Sequence, residues 1–151
     1  QKYDIKNVVR VCADNPFIDP AEVDRLIDFF NKNANLDYAF NHQNRLNNGY
    51  ADGFGAEIFT TDCLSEIYHQ KMTQYEKEHM TSFIWNNADK FKIGTMKAQG
   101  LLRNPTLRFD IDTLEDLSEL KKLIDLGVDV KSTAEKIINA RLSLKIEQKK
   151  Y

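Results

Sequence analysis

The chain lacks the features that mark membrane, nucleic-acid-binding and zinc-finger proteins. No apolar run approaches the roughly 20 residues that a helix needs to span a bilayer, and no signal-peptide pattern is visible. With 21 Lys and Arg against 23 Asp and Glu, the net charge of −2 gives no overall attraction to nucleic acid or anionic lipid. The 2 cysteines, Cys12 and Cys63, do not have metal-like spacing. We therefore expect reduced thiols and a cytoplasmic protein.

Common catalytic patterns are missing as well. The 3 histidines, His42, His69 and His79, do not stand at ligand spacing, which argues against zinc. No Ser/His/Asp set with a nucleophile elbow is present. What remains for chemistry is a set of acidic side chains at the ends of predicted strands.

Length and composition predict one folded domain. The 151 residues are 42% hydrophobic and 29% charged, as in an ordinary globular protein. We expect a single domain over 1–151, with a core at 1–130 and a C-terminal helix at 131–151. Because the chain starts without methionine and enters a strand almost at once, we interpret it as the C-terminal part of a longer protein.

Hydrophobic periodicity predicts alternating strands and helices, and hence a layered α/β domain. The predicted strands lie at 8–12, 36–40, 56–59 and 91–96, and a further one leads through 106–109. The predicted helices lie at 20–30, 60–70, 73–86, 113–126 and 132–148. The polar, glycine-rich stretch at 41–55 predicts a functional or mobile loop.

Two of the predicted strands run into carboxylates. Asp14 follows the strand at 8–12, and Asp110 and Asp112 follow the strand at 106–109. Alternation along a strand points Asp110 and Asp112 to the same face, where their repulsion requires a cation or several hydrogen bonds. Ligands bind at the carboxyl ends of neighbouring strands, so these acids predict an oxygen-rich site for Mg²⁺. The alternative for Asp14 is an Asx-turn acceptor that caps local backbone N–H groups.

The loop that precedes the strand at 56–59 is a second candidate. Gly53 permits a close approach of the backbone to a ligand, and Asp52 and Glu57 can accept hydrogen bonds from sugar hydroxyls. An Asp-Gly hairpin turn between two strands fits the same spacing equally well.

Two residues of a predicted helix and three arginines are further candidates for the functional site. Glu78 and His79 lie on a predicted helix, where the bulky neighbours of His79 favour a buried, hydrogen-bonded histidine over a catalytic one. Three arginines are available for a phosphate or a sugar carboxylate, or for ordinary surface ion pairs: Arg10, Arg45 and Arg108.

Four segments, in order, resemble the cytidylyltransferase family of the spore-coat polysaccharide type, which is related to the acylneuraminate and 3-deoxy-manno-octulosonate cytidylyltransferases. VVRVCADNPFIDP (8–20) is similar to a strand that ends in a Gly-Asp-Cys-Pro-type turn. GYADGFGAEIFT (49–60) is similar to a Pro-Asp-Gly-Leu-x-x-Glu segment. EKEHMTSFI (76–84) resembles an Arg-Glu-His-Val-Thr motif, and LRFDIDTLEDL (107–117) resembles a closing Val-Asp-Thr-Pro-Glu-Asp-Leu motif.

The chain departs from these motifs at several positions. Where the family usually has another residue, this chain has Ala13, Asn15, Ala51, Lys77 and Leu114. The family's first strand and its glycine-rich loop with Arg and Lys, which cradles the triphosphate, have no counterpart in this sequence. The resemblance therefore implies that this polypeptide alone binds CTP poorly and turns over little or nothing.

The resemblance implies a three-layer, Rossmann-like fold of the nucleotide-diphospho-sugar transferases, with helices on both faces of the sheet and without its N-terminal part. The reaction would join CTP and a sugar acid to give a CMP-sugar and pyrophosphate. Asp14 and Asp112 would be the catalytic pair that holds Mg²⁺, together with Asp110. Substrate-binding candidates are Asp52, Gly53, Glu57, Glu78, His79 and Arg108. Members of the family often form homodimers.

Two other hypotheses stay open on the sequence alone. The first is a non-catalytic binding or assembly module on the same fold, which the substituted motif residues favour. The second is an unrelated Mg²⁺-dependent phosphohydrolase that uses the same three aspartates and needs no sugar acceptor.

Overall fold

A four-stranded mixed sheet lies at the centre of the protein in the computed structural model, which describes residues 4–148. The strands are β1 (Asn7–Arg10), β2 (Tyr38–Phe40), β3 (Glu57–Thr60) and β4 (Ile93–Thr95). The helices are α1 (Pro20–Lys32), α2 (Thr61–Tyr68), α3 (Gln74–Glu78), α4 (Met80–Asn86), α5 (Leu114–Asp125) and α6 (Ala134–Gln148), with a short 3-10 helix at Gly100–Leu102.

The strand order β1-β3-β2-β4 brings three carboxyl ends to one edge of the sheet. β3 runs antiparallel to both of its neighbours, and β2 pairs with β4 in parallel. In this register Glu57, the first residue of β3, stands opposite both Arg10 and Phe40. The ends of β1, β2 and β4 and the start of β3 therefore meet at the same edge, where ligands bind in open α/β sheets.

Helix α1 covers one face of the sheet. Asp19 caps its first turn and Pro20 is its first residue, a position at which the missing N–H of proline costs nothing. Leu26 and Phe30, four residues apart on the same side of α1, pack on Ile58 of the sheet. This apolar stripe fixes α1 on that face.

The opposite face is covered by α2 and α4. The aromatic side chains of β2 and β3 pack there against Phe83 and Ile84 of α4. A further apolar cluster joins α5 and α6 to Phe109 and the neighbouring loops. The sequence prediction of an α/β fold with helices on both faces of the sheet is confirmed, and the solved structure described below has the same architecture.

The single helix predicted at 73–86 is wrong, because the chain forms two helices, α3 and α4, that part at His79. Its backbone leaves the helical region, with φ −118° and ψ 71°. The N–H of His79 ends α3 on the Tyr75 carbonyl at 2.8 Å, and its own carbonyl accepts from Ser82 N–H at 2.8 Å to begin α4. A capping box between Thr73 and Glu76 starts α3.

The strand predicted to lead into Asp110 is also wrong. Around residue 108 the chain forms one isolated bridge, in which Arg108 pairs with Asp52. β1 ends at Arg10, so Asp14 lies four residues beyond the end of its strand. The last helix begins at Ala134 instead of Ser132. The outer ends of the predicted domain, 1–3 and 149–151, lie outside the described residues.

Among residues 4–148, no helix has both the length and the apolar character that crossing a membrane requires.

Candidate functional site

Backbone hydrogen bonds hold three loops side by side next to the edge of the sheet. Asp52 N–H donates to the Leu107 carbonyl at 2.9 Å, and Phe109 N–H donates back to the Asp52 carbonyl at 3.1 Å. Ile111 N–H donates to the Asp14 carbonyl at 2.9 Å. The turn after β1, the glycine-rich loop and the acidic segment at 107–112 therefore meet, although no regular strand joins them.

The side chains of Asp110 and Asp112 lie on the same side of their segment, because both bind Arg108. Arg108 Nε donates to Asp110 Oδ1 at 3.0 Å, and a terminal nitrogen of Arg108 donates to both carboxylates, at 2.7 Å to Asp112 Oδ2. Ile111 faces the apolar cluster instead. Hydrogen bonds to the two aspartates raise the pKa of Arg108, so this guanidinium is their counter-ion in the absence of a metal.

Asp52 lies within the electrostatic reach of these acids. Burial is the largest cause that raises its pKa, to about 7, and Asp110, Asp112 and Asp14 raise it further, while Arg108 lowers it. A large fraction of Asp52 therefore holds a proton near neutral pH. Four carboxyl groups that share one region are a costly arrangement, which a cation relieves.

The donor set of this aspartate cluster fits a hard cation, because Asp14, Asp52, Asp110 and Asp112 offer only oxygen ligands. Within residues 4–148, however, they do not form a set of ligand atoms that all lie within 4.8 Å of one another. Direct coordination by Asp14 together with Asp110 and Asp112 therefore requires a local rearrangement of side chains.

The carboxylate of Asp14 is available for a ligand. Its side chain is exposed, and it accepts no hydrogen bond from any residue in the described part of the chain. In the tight turn itself, Asn15 N–H donates to the Cys12 carbonyl at 3.3 Å, so the backbone closes the turn without the help of the side chain. The Asx-turn interpretation of Asp14 is therefore wrong.

Gly53 is required by packing. Its φ of +106° is in the left-handed region, and a Cβ at this position would lie 3.0 Å from the backbone carbon of Phe109. Its N–H donates to the His42 carbonyl at 3.0 Å. The hairpin interpretation of Asp52-Gly53 is wrong, because β2 and β3 are antiparallel neighbours joined by the whole segment 41–56.

Glu57 is fully buried, and its partners are protein side chains. Tyr38 donates its hydroxyl to Oε1 at 2.6 Å, and Arg10 forms a salt bridge with Oε2. Burial is the largest cause that raises the pKa of Tyr38, followed by the charge of Glu57. Glu57 is therefore not available at the surface for a sugar, and Arg10, which is partly exposed, pairs with it across the β1–β3 pair.

The sequence reasoning missed a cluster formed by Cys12, His42 and Glu57. One ligand atom of each (sulfur, imidazole nitrogen and carboxylate oxygen) lies within 4.8 Å of the others. His42 is 9% exposed, and burial is the largest cause that lowers its pKa, which favours the neutral imidazole. In the sequence, Cys12 ends the strand predicted at 8–12 and His42 follows the strand predicted at 36–40 by two residues, but the strand order that brings them together is not visible there.

His79 is exposed, so its interpretation as a buried histidine is wrong. Its ring lies 4.6 Å from that of Tyr75, at the rim of a polar cavity of about 390 Å³. Arg45 lies over the Trp85 ring in the same cavity, 3.7 Å from its centroid. Glu78 is also exposed and accepts a hydrogen bond from Gln74 Nε2 at 3.2 Å.

One protein family and two individual proteins match this chain. The family described as Cytidylyltransferase matches residues 1–150. An uncharacterized protein of Methanocaldococcus jannaschii is 30% identical over 128 residues, which are 82% of this chain and 50% of that protein. The spore coat polysaccharide biosynthesis protein SpsF of Bacillus subtilis is 29% identical over 117 residues, which are 77% of this chain and 46% of SpsF.

A solved structure, that of a cytidylyltransferase from Leptospira borgpetersenii serovar Hardjo-bovis, has the same fold. It superimposes with a TM-score of 0.78 at 26% identity, over 98% of this chain and 59% of that one. The chain spans about half the length of the curated relatives it matches.

Proposed function

Because this chain belongs to the cytidylyltransferase family, we propose that its aspartate cluster serves the transfer of CMP from CTP to a sugar acid in surface polysaccharide biosynthesis. The products are a CMP-sugar and pyrophosphate. The observation that carries the proposal is the hydrogen bond from Ile111 N–H to the Asp14 carbonyl, which places Asp14 beside the segment that bears Asp110 and Asp112. The similarity to SpsF supports the polysaccharide context.

We assign Asp14 and Asp112 as the catalytic carboxylates, with Asp110 as a further metal ligand. These three aspartates would hold Mg²⁺, which would supply charge neutralisation for the displacement at the α-phosphate. Arg108, which pairs with Asp110 and Asp112, would be the cation that Mg²⁺ replaces there, and it would then be available to a phosphate or a sugar carboxylate. Asp52, whose pKa burial raises to about 7, would give up its proton more readily with a cation in the cluster.

We place the acceptor sugar at the cavity lined by His79 and Arg45. A carboxylate of a sugar acid pairs well with a guanidinium, and the exposed ring of Tyr75 offers a surface on which a sugar can stack. Glu78 is exposed and precedes His79 in the chain, and we propose that it accepts hydrogen bonds from hydroxyl groups of the acceptor. Glu57 is too deeply buried to contact the acceptor directly.

We further propose that the complete protein works in the cytoplasm, where CTP is made available, and that it can act as a homodimer. For the 151-residue polypeptide alone, we expect weak CTP binding. The aspartate cluster is negatively charged, and its nearest cation, Arg108, is already paired with two carboxylates. A nucleoside triphosphate needs backbone N–H groups and cations to hold its phosphates.

The proposal is tested by calorimetric titration of Mg²⁺ into the wild type and into Asp14→Asn and Asp112→Asn. We expect each variant to lose about tenfold or more in Mg²⁺ affinity. Asp28→Asn changes an exposed aspartate of α1 and serves as the control, with unchanged affinity. Mg²⁺ affinity that does not depend on Asp14 or Asp112 would contradict the assignment.

The reaction itself is tested with the complete protein in an assay of pyrophosphate release from CTP, with a panel of sugar acids as acceptors. We expect release that requires the acceptor and is lost in Asp14→Asn. Inorganic phosphate released without any acceptor would instead support a phosphohydrolase. The absence of both products and of Mg²⁺ binding would support a binding module.

A further inference from the structure

We propose that Cys12, His42 and Glu57 form a second metal site, selective for a thiophilic divalent cation of the Zn²⁺ type. The site is built from residues that the CMP-transfer proposal does not use. Its test needs only the metal, so it can succeed or fail independently of that proposal.

The first support is geometry. The sulfur of Cys12, a ring nitrogen of His42 and a carboxylate oxygen of Glu57 all lie within 4.8 Å of one another. A tetrahedral zinc ion binds its ligands at roughly 2.0–2.3 Å, which separates the ligand atoms by about 3.3–3.8 Å. The ligand atoms must therefore approach one another by no more than about 1.5 Å to reach the separations of a zinc site.

The second support is an unsatisfied polar atom. His42 is nine-tenths buried, and its Nδ1 has no hydrogen-bond partner within residues 4–148. Its Nε2 lies 4.0 Å from Glu57 Oε1, which is longer than a hydrogen bond. Buried polar atoms in native proteins are nearly always satisfied, and an exception points to a water or an ion. A metal ion that binds Nδ1 of His42, in reach of Cys12 and Glu57, gives this nitrogen the partner that it lacks.

The third support is the set of hydrogen bonds that hold Glu57 in place. Tyr38 donates to Oε1 at 2.6 Å, and Arg10 binds Oε2. Carboxylate ligands in metal sites are usually held by such outer hydrogen bonds, which orient them and reduce the cost of ordering them. Each carboxylate oxygen keeps a second lone pair for the metal.

Charge balance is consistent with a dication. The thiol of Cys12 loses its proton to solvent as the metal–sulfur bond forms, and the resulting thiolate and the Glu57 carboxylate together carry two negative charges. His42 adds a neutral nitrogen ligand. Arg10 stays on the outer side of Glu57 and leaves one net positive charge, so we expect moderate affinity.

Ligand chemistry separates this site from the aspartate cluster. Sulfur and imidazole nitrogen select zinc and its spectroscopic substitute cobalt, whereas an all-oxygen set selects magnesium. Cys12 is two residues from Asp14. A metal ion bound by Cys12, His42 and Glu57 would therefore lie close to a Mg²⁺ ion bound by the aspartate cluster. Three protein ligands leave one position of a tetrahedron for water or another ligand.

The experiment titrates Co²⁺ alone into the protein and follows the thiolate-to-cobalt charge-transfer band. We expect a band that saturates at one equivalent and that Zn²⁺ abolishes. Cys12→Ser should remove the band, and His42→Ala should weaken cobalt binding at least about tenfold. Cys63→Ser removes the other thiol, which lies in α2 and is buried against the aromatic side chains of β2 and β3, and should leave the band unchanged.

A second measurement uses the unmodified chain, in case Cys12→Ser does not fold. Zn²⁺ should slow the alkylation of Cys12, located by mass spectrometry, while Mg²⁺ at the same concentration should not. The proposal is overturned if wild-type protein gives no band, if the band depends on Cys63, or if Zn²⁺ does not protect Cys12.

Discussion

Asp19 caps two helices that are far apart in the sequence. Its Oδ1 accepts a hydrogen bond from Ala21 N–H at 2.9 Å in the first turn of α1, and its Oδ2 accepts one from Ala134 N–H at 3.0 Å at the start of α6. One carboxylate therefore satisfies orphan N–H groups of both helices. Asp19 N–H also donates to the Phe54 carbonyl at 2.9 Å, which ties this junction to the glycine-rich loop.

Replacement of Asp19 should destabilise the protein by more than the loss of one cap. We expect Asp19→Ala to lower the free energy of unfolding by about 2–3 kcal/mol, because each lost cap costs about 1 kcal/mol and the charge at two helix N-termini is lost as well. Asp19→Asn should lose about 1–2 kcal/mol, because one oxygen remains for one helix. Urea unfolding measures both. Asp28→Asn, on the exposed side of α1, should change stability by less than about 0.5 kcal/mol.

The elevated pKa of Asp52 should make the chain less stable as the pH rises. Its pKa in the folded state is about 7, against an ordinary value of 3.8 for an aspartate side chain. Between these values the folded state keeps a proton that the unfolded chain has lost, so the stability due to this group falls from about pH 4 to pH 7. The groups that face it are Asp110, Asp112, Asp14 and Arg108.

Asp52→Asn should remove this pH dependence. In EDTA at about pH 8 we expect the variant to be more stable than the wild type by ~1–2 kcal/mol, a value reduced for solvent screening of a partly exposed group. At about pH 4 the two should be nearly equal, because both side chains are neutral in the folded state. A stability difference that is the same at both pH values would contradict the prediction. Urea unfolding across this pH range measures it.

Gly55 should tolerate no side chain. A Cβ there would lie 2.5 Å from the Asn41 carbonyl oxygen, and the Asn41 side chain is itself fixed by a hydrogen bond from Ala56 N–H at 2.9 Å. We expect Gly55→Ala to cost about 3 kcal/mol or more, because backbone atoms must move. Gly127→Ala is the control. It has open space but a φ of +80°, so it should cost about 1 kcal/mol. Equal losses in the two variants would argue against the close packing at Gly55.

Arg108 should compete with a metal for Asp110 and Asp112. We expect Arg108→Gln to bind Mg²⁺ several-fold more tightly than the wild type, because the guanidinium no longer has to be displaced and the carboxylates carry more uncompensated charge. Calorimetric titration at low salt measures the change. Arg103→Gln, at an exposed loop position, should have no effect. Weaker Mg²⁺ binding by Arg108→Gln would show that Arg108 supports the metal site instead of competing with it.

The sequence predicted those helices and strands that are marked by residues close together in the chain. Capping residues and apolar periodicity located α1 and α5, and the sheet strands appeared within a few residues of their predicted bounds. The break at His79 was not predictable, because the apolar pattern continues through both helices and only the backbone turn there separates them.

The candidate site was predicted in part. The same-side placement of Asp110 and Asp112 followed from alternation alone and agrees with their shared partner, Arg108. The group formed by Cys12 and His42 was missed, because it depends on the strand order, which neither residue type nor spacing reveals.

The register of the antiparallel strand β3 determines which side chains lie beside Arg10, Cys12 and His42. Side chains alternate between the two faces of a strand, so a slip of β3 by one residue would turn Glu57 toward α1 and bring Ile58 beside Tyr38 and Arg10. The guanidinium of Arg10 would then lack its buried anion, and Cys12 and His42 would face a hydrocarbon instead of an acid. The register of this four-residue strand therefore decides whether the folded protein carries a buried carboxylate beside Arg10, Cys12 and His42.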